Sequence, residues 1–193
     1  IFSTENPHKL DEVRYMIDDL YELKSLVDIG CREEIPETAP TLEGNALLKA
    51  RHVREHYGLD CFAEDTGLEI DALNGEPGVY SARYAGPQRD AGDNMDQVLR
   101  KLDGHPLRTA RFRTVIALIL DGREHTFEGV VEGRILTEQR GEGGFGYDPI
   151  FQPAGEERSF AQMTAGENNA ISHRGHALRR LMTFLRQLSR NTS

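Results

Sequence analysis

The sequence has few cysteines, no long apolar run and no surplus of basic residues. Its two cysteines, Cys31 and Cys61, could form one disulfide, but two free thiols in a reducing cytosol are the expected state. The longest apolar run, residues 115–120, is far shorter than the roughly 20 residues that span a bilayer. The sequence shows no charged start followed by an apolar stretch, the pattern that marks a signal peptide. We therefore expect no membrane partner and no secretion signal.

The formal net charge of the 193 residues is −9. A general nucleic-acid binder usually carries a basic surface, so no polymeric nucleic acid is expected as a partner. A nucleotide substrate is compatible with this charge, because a few local cations can outweigh a distant acidic surface. Apolar residues make up 38% of the chain, which is enough for a core. With no clear linker, the prediction is a single domain over residues 1–193, built of two closely joined lobes.

Hydrophobic spacing, capping residues and turn residues predict helices and strands that alternate along the chain. The predicted helices cover residues 6–20, 42–57, 95–102 and 172–188. The predicted strands cover residues 1–4, 23–29, 61–65, 68–72, 109–120, 124–136 and 150–151. Asp121 and Gly122, between the two longest strands, are a strong hairpin signal. This order favours an α/β fold with a long mixed sheet flanked by helices.

A set of acidic residues could carry chemistry on a phosphate. Glu64 and Asp65 are expected at the end of a buried strand, and Arg83 follows a glycine-rich turn region. Neighbours on a strand point to opposite faces, so only one of the two carboxylates can readily face a given site. Together with Glu37, such a carboxylate suits Mg²⁺, which prefers a few carboxylates, water and substrate phosphates. A solvated acidic loop would explain the same residues equally well.

Two polar segments could contact a nucleotide. Residues 3–9 form a turn at a helix start, where free N–H groups and Lys9 could bind an anion. An ordinary capped helix with an exposed lysine is the commoner interpretation of that segment. Residues 143–149, GGFGYDP, could let the backbone approach a ligand and stack an aromatic ring on a base. Asp148 in that loop could accept hydrogen bonds from ring N–H groups, although loop aromatics are more often core anchors.

A third segment lies at the start of the last predicted helix. His173 and Arg174 follow Ser172, the expected N-cap of that helix. They would present hydrogen-bond donors that suit a carbonyl oxygen or a phosphate. Each of these signals is modest by itself, and their order along one chain is much more specific.

Six segments together resemble the inosine triphosphate pyrophosphatase family, whose members act on nonstandard purine nucleoside triphosphates. They are STENPHK at 3–9, NALLKAR at 45–51, EDTGL at 64–68, PGVYSAR at 77–83, FGYDP at 145–149 and SHRG at 172–175. The resemblance covers nearly the whole chain and keeps the order of the family's motifs. It implies hydrolysis of ITP, dITP and XTP to the monophosphate and pyrophosphate, which removes deaminated purines from the nucleotide pool. It also implies a Mg²⁺-dependent cytoplasmic homodimer, a two-lobed fold and an active site in the cleft between the lobes.

The resemblance also assigns roles to residues of this chain. Asp65 matches the catalytic residue, a proton acceptor and metal ligand, and Glu37 looks like the second metal carboxylate. Glu64 is then the structural or supporting member of the pair. The expected substrate contacts are Thr4, Glu5, Asn6, Pro7, His8, Lys9, Lys49, Thr66, Arg83, Phe145, Gly146, Tyr147, Asp148, Asn168, His173 and Arg174.

The expected base contacts agree with the chemistry of the implied substrates. Hypoxanthine and xanthine carry a 6-oxo acceptor where adenine carries a 6-amino donor, so donors from His173 and Arg174 favour the oxo bases. A site built to hydrogen-bond one group can discriminate on the order of 10⁴-fold. Guanine shares the 6-oxo group, so this contact does not explain rejection of GTP.

Two positions depart from the family pattern. Asn168 stands where the family usually has a lysine four residues before the serine of SHRG. This substitution removes a cation that would contact the substrate, which bears on affinity or turnover and not on the fold. Glu5 stands where many relatives have glycine, and a carboxylate beside a phosphate turn is unfavourable unless it points away or binds metal.

Two other functions fit parts of the sequence. The first is a pyrophosphatase for pyrimidine or modified nucleotides, like the Maf-type family of similar architecture, although SHRG argues against it. The second is a nucleotide-binding module with little catalysis, weakened at Asn168. Retention of Asp65, Glu37 and Lys9 argues against the second function.

Overall fold

The computed structural model describes residues 1–3, 7–17 and 21–191, without the side chains of Pro7, His8 and Glu12. Its α-helices are α1 (Pro7–Ile17), α2 (Leu42–Tyr57), α3 (Ala91–Lys101), α4 (Ala165–Ile171) and α5 (His173–Asn191). Its strands are β1 (Cys61–Ile70), β2 (Thr109–Leu120), β3 (Arg123–Ile135) and β4 (Phe151–Pro153). Within the described residues, every helix is too short or too polar to serve as a membrane-spanning segment.

The four strands form one sheet in the order β1-β2-β3-β4. Strands β2 and β3 are joined by Asp121 and Gly122, whose φ values of 51° and 78° are those of a tight hairpin turn. Strand β4 pairs antiparallel with the end of β3, where Ile135 faces Phe151. Phe2 adds parallel bridges to Ser25 and Phe62. The predicted α/β fold, with a sheet flanked by helices, is confirmed, although the sheet was expected to be mixed and its described strand pairing is antiparallel.

The chain divides into two compact units, each with its own apolar core. Unit 1 comprises Ile1–Asp65, Thr114–Glu128 and Ala177–Ser193, and unit 2 comprises Thr66–Arg113 and Gly129–His176. The core of unit 1 packs α1 and α5 against strand residues; its buried members include Val13, Phe62, Ile116, Leu178 and Leu181. The core of unit 2 is rich in aromatic rings; its buried members include Leu68, Phe112, Tyr147, Phe151 and Phe160.

Helix α2 shows how local sequence sets an element. Thr41 caps its start by accepting a hydrogen bond from the Gly44 N–H at 3.0 Å, and Gly58 ends it in the left-handed conformation with φ 66°. A short hydroxyl side chain satisfies a free N–H at a helix start, and glycine adopts positive φ without steric cost. The predicted bounds, 42–57, are therefore confirmed.

Two sequence-based element predictions were wrong, and one helix was missed. The two strands predicted at 61–65 and 68–72 are one strand, β1, because Thr66 and Gly67 continue the extended backbone instead of turning. In place of the strand predicted at 23–29, only Ser25 forms a β-bridge, and the residues after it form turns. Helix α4 was not predicted at all, although Thr164 and Glu167 form a capping box at its start.

Candidate active site

The side chains of Glu64 and Asp65, adjacent on β1, form ion pairs with different lysines. The carboxylate of Glu64 is 2% exposed and its Oε1 lies 2.6 Å from Nζ of Lys9 on α1. Asp65 instead approaches Lys49 on α2, with 3.8 Å between Oδ1 and Nζ. Neighbouring side chains on a strand point to opposite faces, so separate partners are expected for these two carboxylates. The buried ion pair gives Glu64 a partner of its own, which supports a structural role for this residue.

Lys49 lies between two carboxylates in unit 1. Its Nζ is 3.4 Å from Oε1 of Glu37 and 3.8 Å from Oδ1 of Asp65, and it donates to the main-chain carbonyl of Glu64. Glu37 belongs to the loop before α2, so one helix side chain links that loop to β1. The structure thus brings together Lys49, Glu37 and Asp65, which lie up to 28 residues apart in sequence.

Burial raises the pKa of Asp65 from 3.8 to about 6. The loss of water around the carboxylate is the largest cause, the positive charge of Lys49 opposes it, and the negative charge of Glu37 adds to it. The side-chain oxygen Oδ2 is buried and accepts no hydrogen bond from any described residue. A carboxylate in this state needs a cation or a donor from a ligand to satisfy it.

Asn45 supports this arrangement, and the sequence analysis gave it no role. Its side chain is 1% exposed, and its Oδ1 accepts a hydrogen bond from the Ala39 N–H at 2.8 Å. Asn45 also lowers the pKa of Asp65 through its side chain. The residue thus fastens the loop that follows Glu37 to α2. The sequence signal that could have pointed to Asn45 was its place at the start of the NALLKAR segment.

The oxygen ligands in unit 1 fit a hard divalent cation. Glu37 and Asp65 both approach the ammonium nitrogen of Lys49, so the two carboxylates already share one positive charge. The unsatisfied Oδ2 of Asp65 offers a further oxygen. Carboxylate oxygens without sulfur or imidazole are typical of Mg²⁺ sites.

In unit 2, the loop at 143–148 is held by Asp148. Oδ2 of Asp148 accepts a hydrogen bond from the Phe145 N–H at 3.1 Å. Burial raises the pKa of Asp148 to about 6, against the lowering effects of this bond and of Arg174. Gly144 has φ 68°, and a Cβ there would clash with the Asp148 carboxylate. Gly146 also has positive φ, 60°, so both glycines are required by the backbone.

The two aromatic residues of this loop have different environments. Phe145 is 58% exposed, and its ring lies 5.4 Å from Cζ of Arg174. Tyr147 is buried in the core of unit 2 and donates a hydrogen bond to the Ser81 carbonyl. Phe145 is therefore available to a flat ligand, whereas the contacts of Tyr147 are those of a core anchor.

His173 and Arg174 begin α5, and both are buried. Oγ of Ser172 accepts a hydrogen bond from the Gly175 N–H at 3.0 Å, which agrees with the predicted N-cap. The His173 ring stacks on Phe112 with centroids 4.8 Å apart. The stack fixes the imidazole plane, a contact that sequence reasoning missed because Phe112 lies 61 residues earlier.

The other predicted contacts in unit 2 are placed as follows. Arg83 ends a short 3₁₀ helix, Gly78–Arg83, and its guanidinium lies 5.2 Å from the Tyr80 ring. Thr66 is half-buried on β1. Asn168 is half-buried on α4, and its carbonyl accepts from the Ser172 N–H at 2.8 Å. The main chain of Asn168 therefore connects α4 to the start of α5.

The predicted phosphate turn lies largely outside the described residues. Thr4, Glu5 and Asn6 lie outside them, as do the side chains of Pro7 and His8. Lys9, at the other end of the turn, is described together with its side chain, which pairs with Glu64. The two cysteines are free and buried, as the sequence predicted.

Comparison with known proteins finds relatives that match nearly the whole chain. The sequence profile of the Ham1 family matches residues 1–184. A dITP/XTP pyrophosphatase of Porphyromonas gingivalis is 56% identical over 187 residues, 96% of each chain. One from Flavobacterium psychrophilum is 51% identical over 186 residues, 96% of this chain and 98% of the relative. The structure of the Staphylococcus aureus Ham1 protein matches with a TM-score of 0.91 at 35% identity, covering 96% of this chain and 98% of that chain.

Proposed function

The chain belongs to the Ham1 family, and from this membership we propose that it hydrolyses dITP, ITP and XTP to the monophosphate and pyrophosphate. The observation that carries the proposal is 56% identity to a dITP/XTP pyrophosphatase over 96% of both chains. The resemblance found in the sequence motifs is confirmed by this and the other relatives. The enzyme is thus a hydrolase acting on the α–β phosphoanhydride bond.

The carboxylates of unit 1 would hold the cofactor and activate water. Glu37 and Asp65 would bind Mg²⁺, which when bound neutralises phosphate charge and lowers the pKa of water. Without the metal the pKa of Asp65 is about 6, and a bound cation would favour its ionised form further. Asp65 can therefore accept a proton from the water that attacks the α-phosphorus. Pyrophosphate leaves as the bond to that phosphorus breaks.

The positive charges of unit 1 would stabilise the developing phosphate charge. Lys49 is held by Glu37, Asp65 and a main-chain carbonyl, and Lys9 is held by Glu64. Because these contacts fix both ammonium groups in advance, they need little reorganisation during the reaction. The Thr4 to His8 turn, Thr66, Arg83 and Asn168 remain proposed substrate contacts.

The buried start of α5 would recognise the purine. Arg174 and His173 would donate hydrogen bonds to the 6-oxo group, and Phe145 would offer its exposed ring to the base. Gly146, Tyr147 and Asp148 would shape this base site. Two contacts support this role. The Arg174 guanidinium lies over the Phe145 ring, and the His173 imidazole stacks on Phe112. Adenine would leave the donors unpaired, which costs binding.

A product assay tests the proposal. Pyrophosphate release should be measured with Mg²⁺ across ITP, XTP, GTP, ATP and dUTP, with orthophosphate measured in parallel. We expect pyrophosphate from ITP and XTP, with ATP and dUTP poor substrates and Asp65→Asn inactive. Orthophosphate as the first product would refute the reaction class, and preference for dUTP would indicate the pyrimidine-directed alternative. Tight ITP binding without turnover would indicate a binding module.

We also propose two properties that the family resemblance implies. The first is a homodimer, which light scattering coupled to gel filtration tests by mass. The second is a cytoplasmic location, which cell fractionation tests.

A further inference from the structure

A thiol, an imidazole and a carboxylate converge in unit 1, outside the proposed catalytic cluster. The ligand atoms of Cys31, His52 and Glu33 all lie within 4.8 Å of one another. Nε2 of His52 is already 3.0 Å from Oε1 of Glu33. Two of the residues come from the loop before α2 and the third from α2 itself, so tertiary folding brings them together.

Each member of this group is held in place. The Cys31 N–H donates to the Leu26 carbonyl at 3.0 Å, and Cys31 as a whole is 2% exposed. The hydroxyl of Tyr57 donates to both oxygens of Glu33, at 2.9 and 3.1 Å. The ring of His56 stacks on His52 with centroids 4.2 Å apart. The group is therefore arranged before any ligand arrives.

The chemistry of the three ligands distinguishes this group from the carboxylates near Lys49. Sulfur and imidazole nitrogen prefer zinc and similar transition metals, whereas Mg²⁺ prefers oxygen. Zinc bonds of about 2.0–2.3 Å place tetrahedral ligands roughly 3.3–3.8 Å apart. Closing the most separated pair of ligand atoms, at most 4.8 Å apart, to that spacing takes about 1.0–1.5 Å. The exposed side of Glu33 leaves room for water as a fourth ligand.

We propose that Cys31, Glu33 and His52 form a zinc-binding site, separate from the proposed Mg²⁺ site. When the metal binds, the thiol releases its proton to solvent, and Glu33 and His52 exchange their mutual hydrogen bond for bonds to zinc. Tyr57 remains the partner that orients Glu33, as outer partners of metal ligands commonly do.

The site lies on the loop that carries Glu37. Glu33 contacts His52, and four residues later Glu37 contacts Lys49 on the same helix. A metal at the three ligands would restrain this loop against α2. That consequence for Glu37 rests on the proposed function, whereas zinc binding itself does not.

The test measures metal binding without nucleotide. Tag-free, reduced and metal-stripped protein is titrated with Co²⁺ and then Zn²⁺, and zinc affinity is measured against a chromophoric chelator. We expect one equivalent of Co²⁺ with a thiolate-to-cobalt absorption band that Zn²⁺ abolishes. Cys31→Ser should lose the band and weaken zinc binding by more than about tenfold, since even outer-shell partners are worth about 10–100-fold. Cys61→Ser, at the other buried thiol, should keep both.

Further variants keep the test decisive if Cys31→Ser folds poorly. Glu33→Gln and His52→Gln alter the more exposed ligands, and circular dichroism checks their fold. Each should weaken zinc binding while keeping the protein folded. A cobalt band that persists in Cys31→Ser, or wild-type zinc affinity in both Gln variants, overturns the site. Because nucleotide is absent, failure of the proposed hydrolysis would leave these results unchanged.

Discussion

Nζ of Lys49 lies 3.8 Å from Oδ1 of Asp65, while the other oxygen of that carboxylate is buried without a hydrogen-bond partner among the described residues. The aspartate is therefore only half satisfied by the protein. Burial raises its pKa to about 6 in spite of the nearby ammonium. A group kept in this state is costly to stability and suited to receive a cation or a proton.

Asp65→Asn should stabilise the metal-free protein at neutral pH. The pKa rises from 3.8 to about 6 on folding, so the folded state binds the proton more tightly and the free energy of unfolding falls as pH rises from about 4 to 6. A pKa difference of one corresponds to about 1.36 kcal/mol, so burying the ionised Asp65 carboxylate lowers the free energy of unfolding at pH 7 by on the order of 2–3 kcal/mol. Asparagine avoids this cost. Urea unfolding in EDTA at pH 7 and 4.5 measures the difference.

Asp96→Asn is the matched control for that experiment, because Asp96 is exposed on α3. It should change stability by less than about 0.5 kcal/mol. The gain from Asp65→Asn should shrink as pH approaches 4.5. A less stable Asp65→Asn at pH 7 would mean that Lys49 outweighs burial, contrary to the direction of the pKa shift.

Lys49→Met should move the acid limb of activity to higher pH. Lys49 lowers the pKa of Asp65, so removing its charge raises that pKa further, by about one unit. Loss of a cation beside the phosphates should also reduce kcat/KM by about 10²-fold. The measurement is kcat/KM for ITP against pH. Lys49→Arg keeps the charge and should keep the limb near its wild-type position; an unshifted limb in Lys49→Met would argue against Asp65 as the base.

Phe145→Leu should weaken binding of the base and leave the fold intact. The ring is 58% exposed and faces the Arg174 guanidinium, an interaction worth about 0.5–1 kcal/mol at exposed sites. We expect KM for ITP to rise about 2- to 10-fold, since base stacking is lost as well. Tyr15→Leu, at an aromatic residue that is 89% exposed, should leave KM unchanged. Equal effects of the two changes would exclude a role for Phe145 in base recognition.

Tyr147→Phe should affect stability more than catalysis. Its hydroxyl donates to the Ser81 carbonyl inside the core of unit 2. That carbonyl also accepts from the Asn94 side chain, so losing the hydroxyl's hydrogen bond costs about 0.5–1.5 kcal/mol. Thermal unfolding should show the loss, while KM for ITP stays near its wild-type value. A large rise in KM with unchanged stability would instead make Tyr147 a substrate contact, as the family resemblance implies.

Elements that depend on local chemistry were predictable. Helix α2 has Thr41 at its start and Gly58 at its end, and the β2–β3 turn is made by Asp121 and Gly122. In each case the deciding interactions lie within a few residues. Strand β1 was split in two by the prediction because Gly67 signals a turn, while its neighbours in the sheet keep it extended.

The chemical character of the site residues was also readable in the sequence, but their partners were not. The motif order pointed to Asp65, His173 and Arg174. Sequence could not show that Asn45 fastens the loop near Glu37, or that Phe112 stacks on His173. Both contacts join residues whose separation in the chain carries no periodic signal.

The sequence by itself determined the fold class, the family and the types of side chain available, because these follow from local propensity and from motifs in a fixed order. Only the tertiary structure decided that Lys49 bridges Glu37 and Asp65, and that Cys31, Glu33 and His52 meet. It also decided the state of Asp65, since a raised pKa arises from removing water and placing charges around a carboxylate. Those conditions exist only once the loop, α2 and β1 have packed together.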